Sequence, residues 1–154
     1  MNSSRGYYFS THVYYILGKW HLGFCKQEYL PTARGFDSYF GYWGPTEDYY
    51  TKTMKVMGDP KLYYDFHLND DLFFDNTTYS LDLYTNRMKE LIENHDQEKN
   101  NPMFMYLALQ SVHVPLAVPQ HYEDLYPNIE DQTRKTYLGI VTAMDDLIGK
   151  NLKI

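Results

Sequence analysis

The sequence has one cysteine, Cys25, in 154 residues, so no intrachain disulfide can form and cysteine usage assigns no redox compartment. Basic residues are in the minority, 14 Lys and Arg against 20 Asp and Glu, for a net charge of −6. None of them gather into the stripe that tracks a phosphate backbone, which excludes nucleic acid as an expected partner. The longest apolar run, Met103 to Leu109, falls far short of the ~20 residues a bilayer span needs, so no membrane span is expected. The opening Met1-Asn2-Ser3-Ser4-Arg5-Gly6-Tyr7-Tyr8 lacks the apolar stretch of a secretory signal, so no signal peptide is visible. Internal repeats and low-complexity segments are missing as well. What is abundant is aromatic: 17 Tyr, 8 Phe and 2 Trp make up 18% of the chain, and such rings suit core edges, clefts and interfaces. With 44% hydrophobic and 22% charged residues the composition is that of a globular chain, and its length bounds it to about one domain.

The pattern along the chain alternates strand and helix. Thr11 to Leu17 is β-branched and aromatic and runs into Gly18, which predicts a buried strand stopped by glycine. Gly23 to Asp59 is dense in Gly, Pro, Asp and Tyr without sustained period, and reads as a long loop region, a length that points to function. Leu62 to Phe66 is expected as a short strand and Asn69-Asp70-Asp71 as a turn. Tyr84, Met88, Leu91, Ile92 and His95 recur at helical spacing, predicting a helix over Thr78 to His95 with Asn76, Thr77 and Thr78 available as caps. Met103 to Leu109 predicts a central strand covered on both faces. Tyr137, Val141, Met144 and Ile148 define a second amphipathic helix closing near Gly149. The fold class is α/β.

In open α/β sheets ligands gather at the carboxyl ends of strands. One predicted strand releases Lys19 and His21 there, the other His113. Two imidazoles and an ammonium converging in a cleft would hold an anionic group and move protons. The alternative is three independent loop-end side chains, and spacing alone favours it. Gly18 and Gly23 match the first half of a phosphate-binding loop, but Phe24-Cys25 stands where Lys and Ser/Thr belong, which rules out that nucleotide motif. The six histidines, His12, His21, His67, His95, His113 and His121, are scattered without an H-E-x-x-H or C-x-x-C pair, so no metal site is assigned and packing or surface roles are expected. The pairs Glu47-Asp48, Asp70-Asp71 and Asp145-Asp146 read as solvated charge. Cys25 lacks the setting of a nucleophile. The aromatics from Phe36 to Tyr50 are expected to cover a sheet edge, the alternative being a cleft lining for a sugar or aryl group.

Taken in order, the segments Gly18-Lys19-Trp20-His21-Leu22-Gly23, Leu30-Pro31-Thr32-Ala33-Arg34-Gly35-Phe36-Asp37-Ser38-Tyr39-Phe40-Gly41-Tyr42, Glu47-Asp48-Tyr49-Tyr50, Leu62-Tyr63-Tyr64-Asp65-Phe66 and Tyr106-Leu107-Ala108-Leu109-Gln110-Ser111-Val112-His113 resemble the type I sulfatase family, in particular its arylsulfatase B-like branch. The resemblance implies a hydrolase of sulfate esters on glycans or aryl compounds, with an alkaline-phosphatase-like α/β/α sandwich, here partial: a mostly parallel sheet with flanking helices. It implies Lys19 and His113 as substrate-binding and catalytic residues and His21 as a further catalytic residue. It also implies Ca²⁺ as cofactor, a formylglycine made from a cysteine in C-x-P-S-R, and a lysosomal or secreted location.

The chain departs from that pattern where Cys25 is followed by Lys26-Gln27-Glu28, so the formylglycine motif is absent, as are the family's paired acidic calcium ligands. The expectation is an internal fragment, with residues 1–10 an irregular N-terminal segment and 11–154 a partial sulfatase domain, inactive alone and poorly stable because sheet edges and a core face stay open. The alternative is a non-catalytic module that binds sulfated glycan or a partner protein. Sequons at Asn2 and Asn76 make glycosylation, at Asn76 in particular, an expectation for a secretory route.

Overall fold

The structure is a computed structural model and describes residues 12–95 and 101–152. The predicted N-terminal segment 1–10, the Asn2 sequon and Thr11 lie outside them. The first strand, β1 (Val13–Lys19), is followed by two short 3-10 turns over Gln27–Tyr29 and Pro31–Arg34 and by β2 (Ser38–Tyr42). Four short strands come next: β3 (Thr53–Lys55), β4 (Leu62–Tyr64), β5 (His67–Leu68) and β6 (Asp71–Leu72). Helix α1 (Ser80–Glu93), β7 (Met103–Ala108), the short α2 (Gln120–Glu123) and α3 (Gln132–Leu152) complete the chain.

Five strands form one sheet in the order β6-β5-β2-β1-β7, and β3 and β4 form a separate hairpin. β1 runs parallel to both β2 and β7, with Gly18 opposite Gly41 on one side and Ala108 on the other. Only β5 and β6, at the far edge, are antiparallel. Adjacent residues of a strand face opposite sides, so Leu17 joins the large core under α1 and α3, with Phe40, Tyr84, Met88, Ile140 and Leu147, whereas Ile16 joins a small cluster with Trp20 and Tyr39 on the other side.

Three expectations are corrected. The long loop contains β2, a central strand, and its aromatics are core rather than an edge cover: Tyr39, Tyr42 and Tyr49 are fully buried and Phe40 nearly so. β7 is an edge strand with one open face. Met105 and Leu107 pack against the helical core, while Phe104 and Tyr106 are 52% and 51% exposed, because no described helix reaches that side. The helix caps differ too. α1 begins after Tyr79 with no side-chain cap; its start is tied down by Ser80, whose N–H and hydroxyl both donate to the Tyr49 carbonyl at 2.9 Å. α3 starts five residues before Tyr137, where the Asp131 carboxylate accepts the Arg134 N–H at 2.7 Å in the manner of an N-cap.

Candidate active site

The three parallel strands end together, and their backbones touch. A Cβ on Gly18 would strike the Ala108 carbonyl, and one on Gly41 would strike the backbone of Gly18. Only glycine permits so close an approach, so residues 19–21, 42–47 and 109–113 leave the sheet from adjacent points at one end.

Beyond β1 the ladder to β2 continues, with the Trp20 N–H donating to Tyr42 O at 2.9 Å and the His21 N–H to Trp43 O at 3.1 Å. Trp20 is the anchor of this exit. Its ring packs edge-to-face with Phe36 at 6.3 Å, and its indole N–H donates to the carbonyls of Gly23 and Tyr29 at 3.1 and 3.0 Å. Fixing Trp20 fixes the flanking Lys19, half-buried, and His21, exposed. His21 sits at φ +48°, a left-handed conformation that costs an L-residue roughly 1–2 kcal/mol. Such strain gathers where a side chain must be aimed.

On the β7 side the Gln110 side chain is buried and its amide N–H donates to the Glu47 carbonyl. The His113 N–H donates to Gln110 O at 3.0 Å, and the Tyr49 hydroxyl donates to His113 O at 3.2 Å. The imidazole Nδ1 lies 2.8 Å from the Val114 carbonyl. A carbonyl only accepts, so the Nδ1 that faces it carries a proton. Lys19, His21 and His113 are thus brought to the same end of the sheet, the first two on the β1 exit and the third on the β7 exit, both held by backbone hydrogen bonds.

Several residues of this end have no signature in the sequence. Glu47 is 0% exposed, which corrects its reading as solvated charge, and neither carboxylate oxygen has a hydrogen-bond partner among the described residues. Burial drives its pKa well above the usual carboxylate value, against the opposing pull of Lys52. Lys52, equally buried, donates to the carbonyls of Tyr49, Tyr50 and Thr78 at 2.9, 3.0 and 2.6 Å. Burial also acts to raise Asp48, but the N–H groups of Thr51 and Tyr50 outweigh it and leave that carboxyl below its usual range. Asp65 accepts the N–H groups of Trp43 and Gly44 at 3.1 and 2.7 Å and meets His67 Nε2 at 3.0 Å. His67 in turn stacks on the Trp43 ring at 3.5 Å, so this histidine serves packing and braces the β2 exit. Cys25 is exposed and free. No three His, Cys, Asp or Glu side chains among the described residues gather so as to hold a metal ion, and a calcium centre does not fit what these residues offer.

The family model for sulfatases matches residues 8–153, nearly the whole chain. The chain belongs to the sulfatase family. Among its relatives, arylsulfatase J of Mus musculus is 38% identical over 142 residues, covering 91% of this chain and 23% of the relative. N-acetylgalactosamine-6-sulfatase of Homo sapiens is 28% identical over 147 residues, covering 90% of this chain and 26% of the relative. The sulfatase chain described here therefore spans about a quarter of the length of these curated relatives. The crystal structure of Ps i-CgsB superposes with a TM-score of 0.80 at 27% identity, covering 94% of this chain and 34% of that one. The same protein in complex with k-i-k-neocarrahexaose gives 0.77 at 27% identity, covering 92% and 33%. The fold is accordingly alkaline-phosphatase-like, with the mostly parallel sheet expected of it. Among the described residues, the helices α1 and α3 line one face of that sheet.

Proposed function

We propose that this chain carries the sulfate-gripping part of a sulfate ester hydrolase acting on sulfated glycans. The observation that supports it is the common exit of Lys19, His21 and His113 from strands whose backbones are in contact at Gly18. Lys19 supplies a fixed positive charge to the sulfate oxygens, and His113 adds a substrate contact. With Nδ1 committed to Val114 O, its Nε2 is the nitrogen that exchanges a proton with the ester or departing oxygen. His21, strained outward, is the second proton-transfer group. Charge-assisted contacts of this kind stabilise the charge that builds up during ester cleavage. The nucleophile is not among these residues, since Cys25 lacks the C-x-P-S-R context; in the whole protein the formylglycine would come from elsewhere in the sulfatase domain, with calcium as the family cofactor. Glycan as the substrate class is supported by the relative named for N-acetylgalactosamine 6-sulfate and by the neighbour seen with neocarrahexaose. A lysosomal or secreted location goes with this reading; no described helix is long and apolar enough to cross a membrane.

The test is titration calorimetry of the chain with N-acetylgalactosamine 6-sulfate and with its unsulfated parent. Sulfate-dependent binding is expected, falling about tenfold or more in Lys19→Ala, the size of one lost hydrogen bond to a charged group. Equal affinity for the two sugars would refute the reading. Sulfate-dependent binding without turnover of an aryl sulfate is the expected behaviour of the chain alone, whereas turnover abolished by His21→Ala would show that it hydrolyses unaided.

A further inference from the structure

The segment Glu47-Asp48-Tyr49-Tyr50 supplies no group that meets substrate in the reading above, yet one of its side chains reaches the β7 exit. Tyr49 is fully buried, and its hydroxyl donates across 64 residues of sequence to the His113 carbonyl at 3.2 Å. That carbonyl belongs to the peptide joining His113 to Val114. The Val114 carbonyl in turn faces the imidazole Nδ1 of His113 at 2.8 Å, so the peptide that Tyr49 holds leads straight to the ring's own partner. With the His113 N–H donating to Gln110 O at 3.0 Å, this exposed histidine is tied at both of its backbone polar groups.

Tyr49 is itself held in place. Its carbonyl accepts the Ser80 N–H, the Ser80 hydroxyl and the Lys52 ammonium, each at 2.9 Å, and Lys52 reaches on to Thr78 O at 2.6 Å. Its ring stacks on Tyr79 with centroids 5.4 Å apart and planes 20° from parallel. Ser80 and Tyr79 stand at the start of α1, so an unbroken run of contacts leads from that helix through Tyr49 to His113. Burial, against the opposing pull of the Ser111 hydroxyl and the His113 backbone, pushes the Tyr49 hydroxyl up to about 12. It therefore stays a donor over the whole range in which a histidine titrates. A packing role would need only the ring, and Tyr79 shows the difference: it is 3% exposed, but its hydroxyl has no hydrogen-bond partner among the described residues.

We propose that Tyr49 is the positioning residue of His113: its hydroxyl fixes the His113–Val114 peptide, and that peptide sets the direction in which the imidazole meets the sulfated sugar. The proposal rests on the sulfated-glycan reading above and adds to it a residue that never touches the ligand but decides where one of its contact groups points.

The experiment compares Tyr49→Phe with Tyr79→Phe in the full chain, by titration calorimetry with N-acetylgalactosamine 6-sulfate and by NMR of the His113 ring. Each variant removes one buried oxygen and keeps its ring. Tyr49→Phe is expected to weaken binding about fivefold, the size of one neutral hydrogen bond, and to shift the His113 ring resonances, whereas Tyr79→Phe should do neither. In a His113→Ala background the loss caused by Tyr49→Phe should vanish, because residues that act through one path are not additive. Ser80→Ala loosens the grip on the Tyr49 carbonyl and should move the same resonances by less; it carries the test should Tyr49→Phe fail to fold, unchanged resonances then counting against the proposal. A Tyr49→Phe chain that only melts lower, with wild-type affinity and wild-type His113 resonances, overturns the proposal, as does a loss of affinity that persists without His113. Failure of the wild-type chain to bind the sulfated sugar overturns the underlying reading instead, and the His113 resonances then still decide whether Tyr49 holds the ring.

Discussion

Replacing Gly18 with alanine demands two things that the end of β1 does not offer. The first is a tolerable backbone: Gly18 lies at φ +110°, a region where an L-residue stores of order 1–3 kcal/mol. The second is space, because the new methyl would strike the Ala108 carbonyl and come within 3.1 Å of the Leu109 nitrogen; forcing atoms into a filled site costs typically 1–3 kcal/mol. Against these, alanine narrows the unfolded ensemble by about 0.4–1 kcal/mol. The net is a destabilisation of roughly 1–5.5 kcal/mol, from the same sources. Gly35 supplies the matched control, since its φ is +104° and a Cβ there meets nothing within 4 Å. Gly35→Ala therefore incurs the backbone cost alone, and the difference between the variants isolates the clash at about 1–3 kcal/mol. For a domain of this size that corresponds to roughly 3–10 °C in Tm, read by near-UV circular dichroism against the many buried Tyr rings. Gly18→Ala should also weaken sulfated-sugar binding, because relief of the clash pushes the β7 exit, and His113 with it, away from Lys19 and His21. Equal melting of the Gly18 and Gly35 variants would refute the close-contact reasoning.

Other outcomes follow from the same structure. Glu47 has its native pKa raised by burial, so between the ordinary carboxylate value and the native one the folded chain binds the extra proton and stability falls as pH rises. Glu47→Gln should therefore be more stable than wild type at pH 7 in urea titrations, with the gain shrinking toward pH 4. Lysine at both Phe104 and Tyr106, which are half-exposed on the open face of β7, should reduce self-association measured by light scattering while leaving the melt within a few degrees, since neither ring belongs to the core under α1 and α3. Asn76 is exposed ahead of α1; secretion from a eukaryotic host should give a glycosidase-sensitive form that disappears in Asn76→Gln.

Local pattern was enough to read the elements whose signal is periodic. Tyr84, Met88 and Leu91 line the buried side of α1, and β1 and β7 show in the sequence as apolar runs, although β1 continues through Gly18 to Lys19 instead of stopping at the glycine. β2 does not show, and the reason is physical. Ser-Tyr-Phe-Gly-Tyr is five residues long and carries a glycine, the composition of a loop. It is a strand because β1 and β5 pair with it on either side, information that lies 20 or more residues away in sequence. Glycine density there signals close packing of backbones rather than a loose chain.

The candidate site divides along the same line. Lys19, His21 and His113 stand at the ends of readable strands, which makes them candidates, but spacing alone favours three independent side chains and only the family resemblance assigns them roles. Glu47, Lys52, Asp65 and Gln110 could not be picked out, because a charged or amide side chain in a polar stretch carries no mark of burial. Their burial has a consequence for function. The side-chain amide of Gln110 connects the β7 exit to Glu47, and Asp65 connects the β2 exit to the hairpin through Trp43 and Gly44. The candidate residues at this end of the sheet thus stand on loops whose rigidity comes from buried polar contacts behind them. Strain at His21 can persist only on such a support, since a loop free to relax would release a conformation costing roughly 1–2 kcal/mol. Weakening the support at Asp65 should then relax His21 before it unfolds the chain, and Asp65→Asn should broaden the His21 ring resonances in NMR spectra while the melt stays cooperative. Unchanged His21 resonances in that variant would separate the strain from the buried contacts.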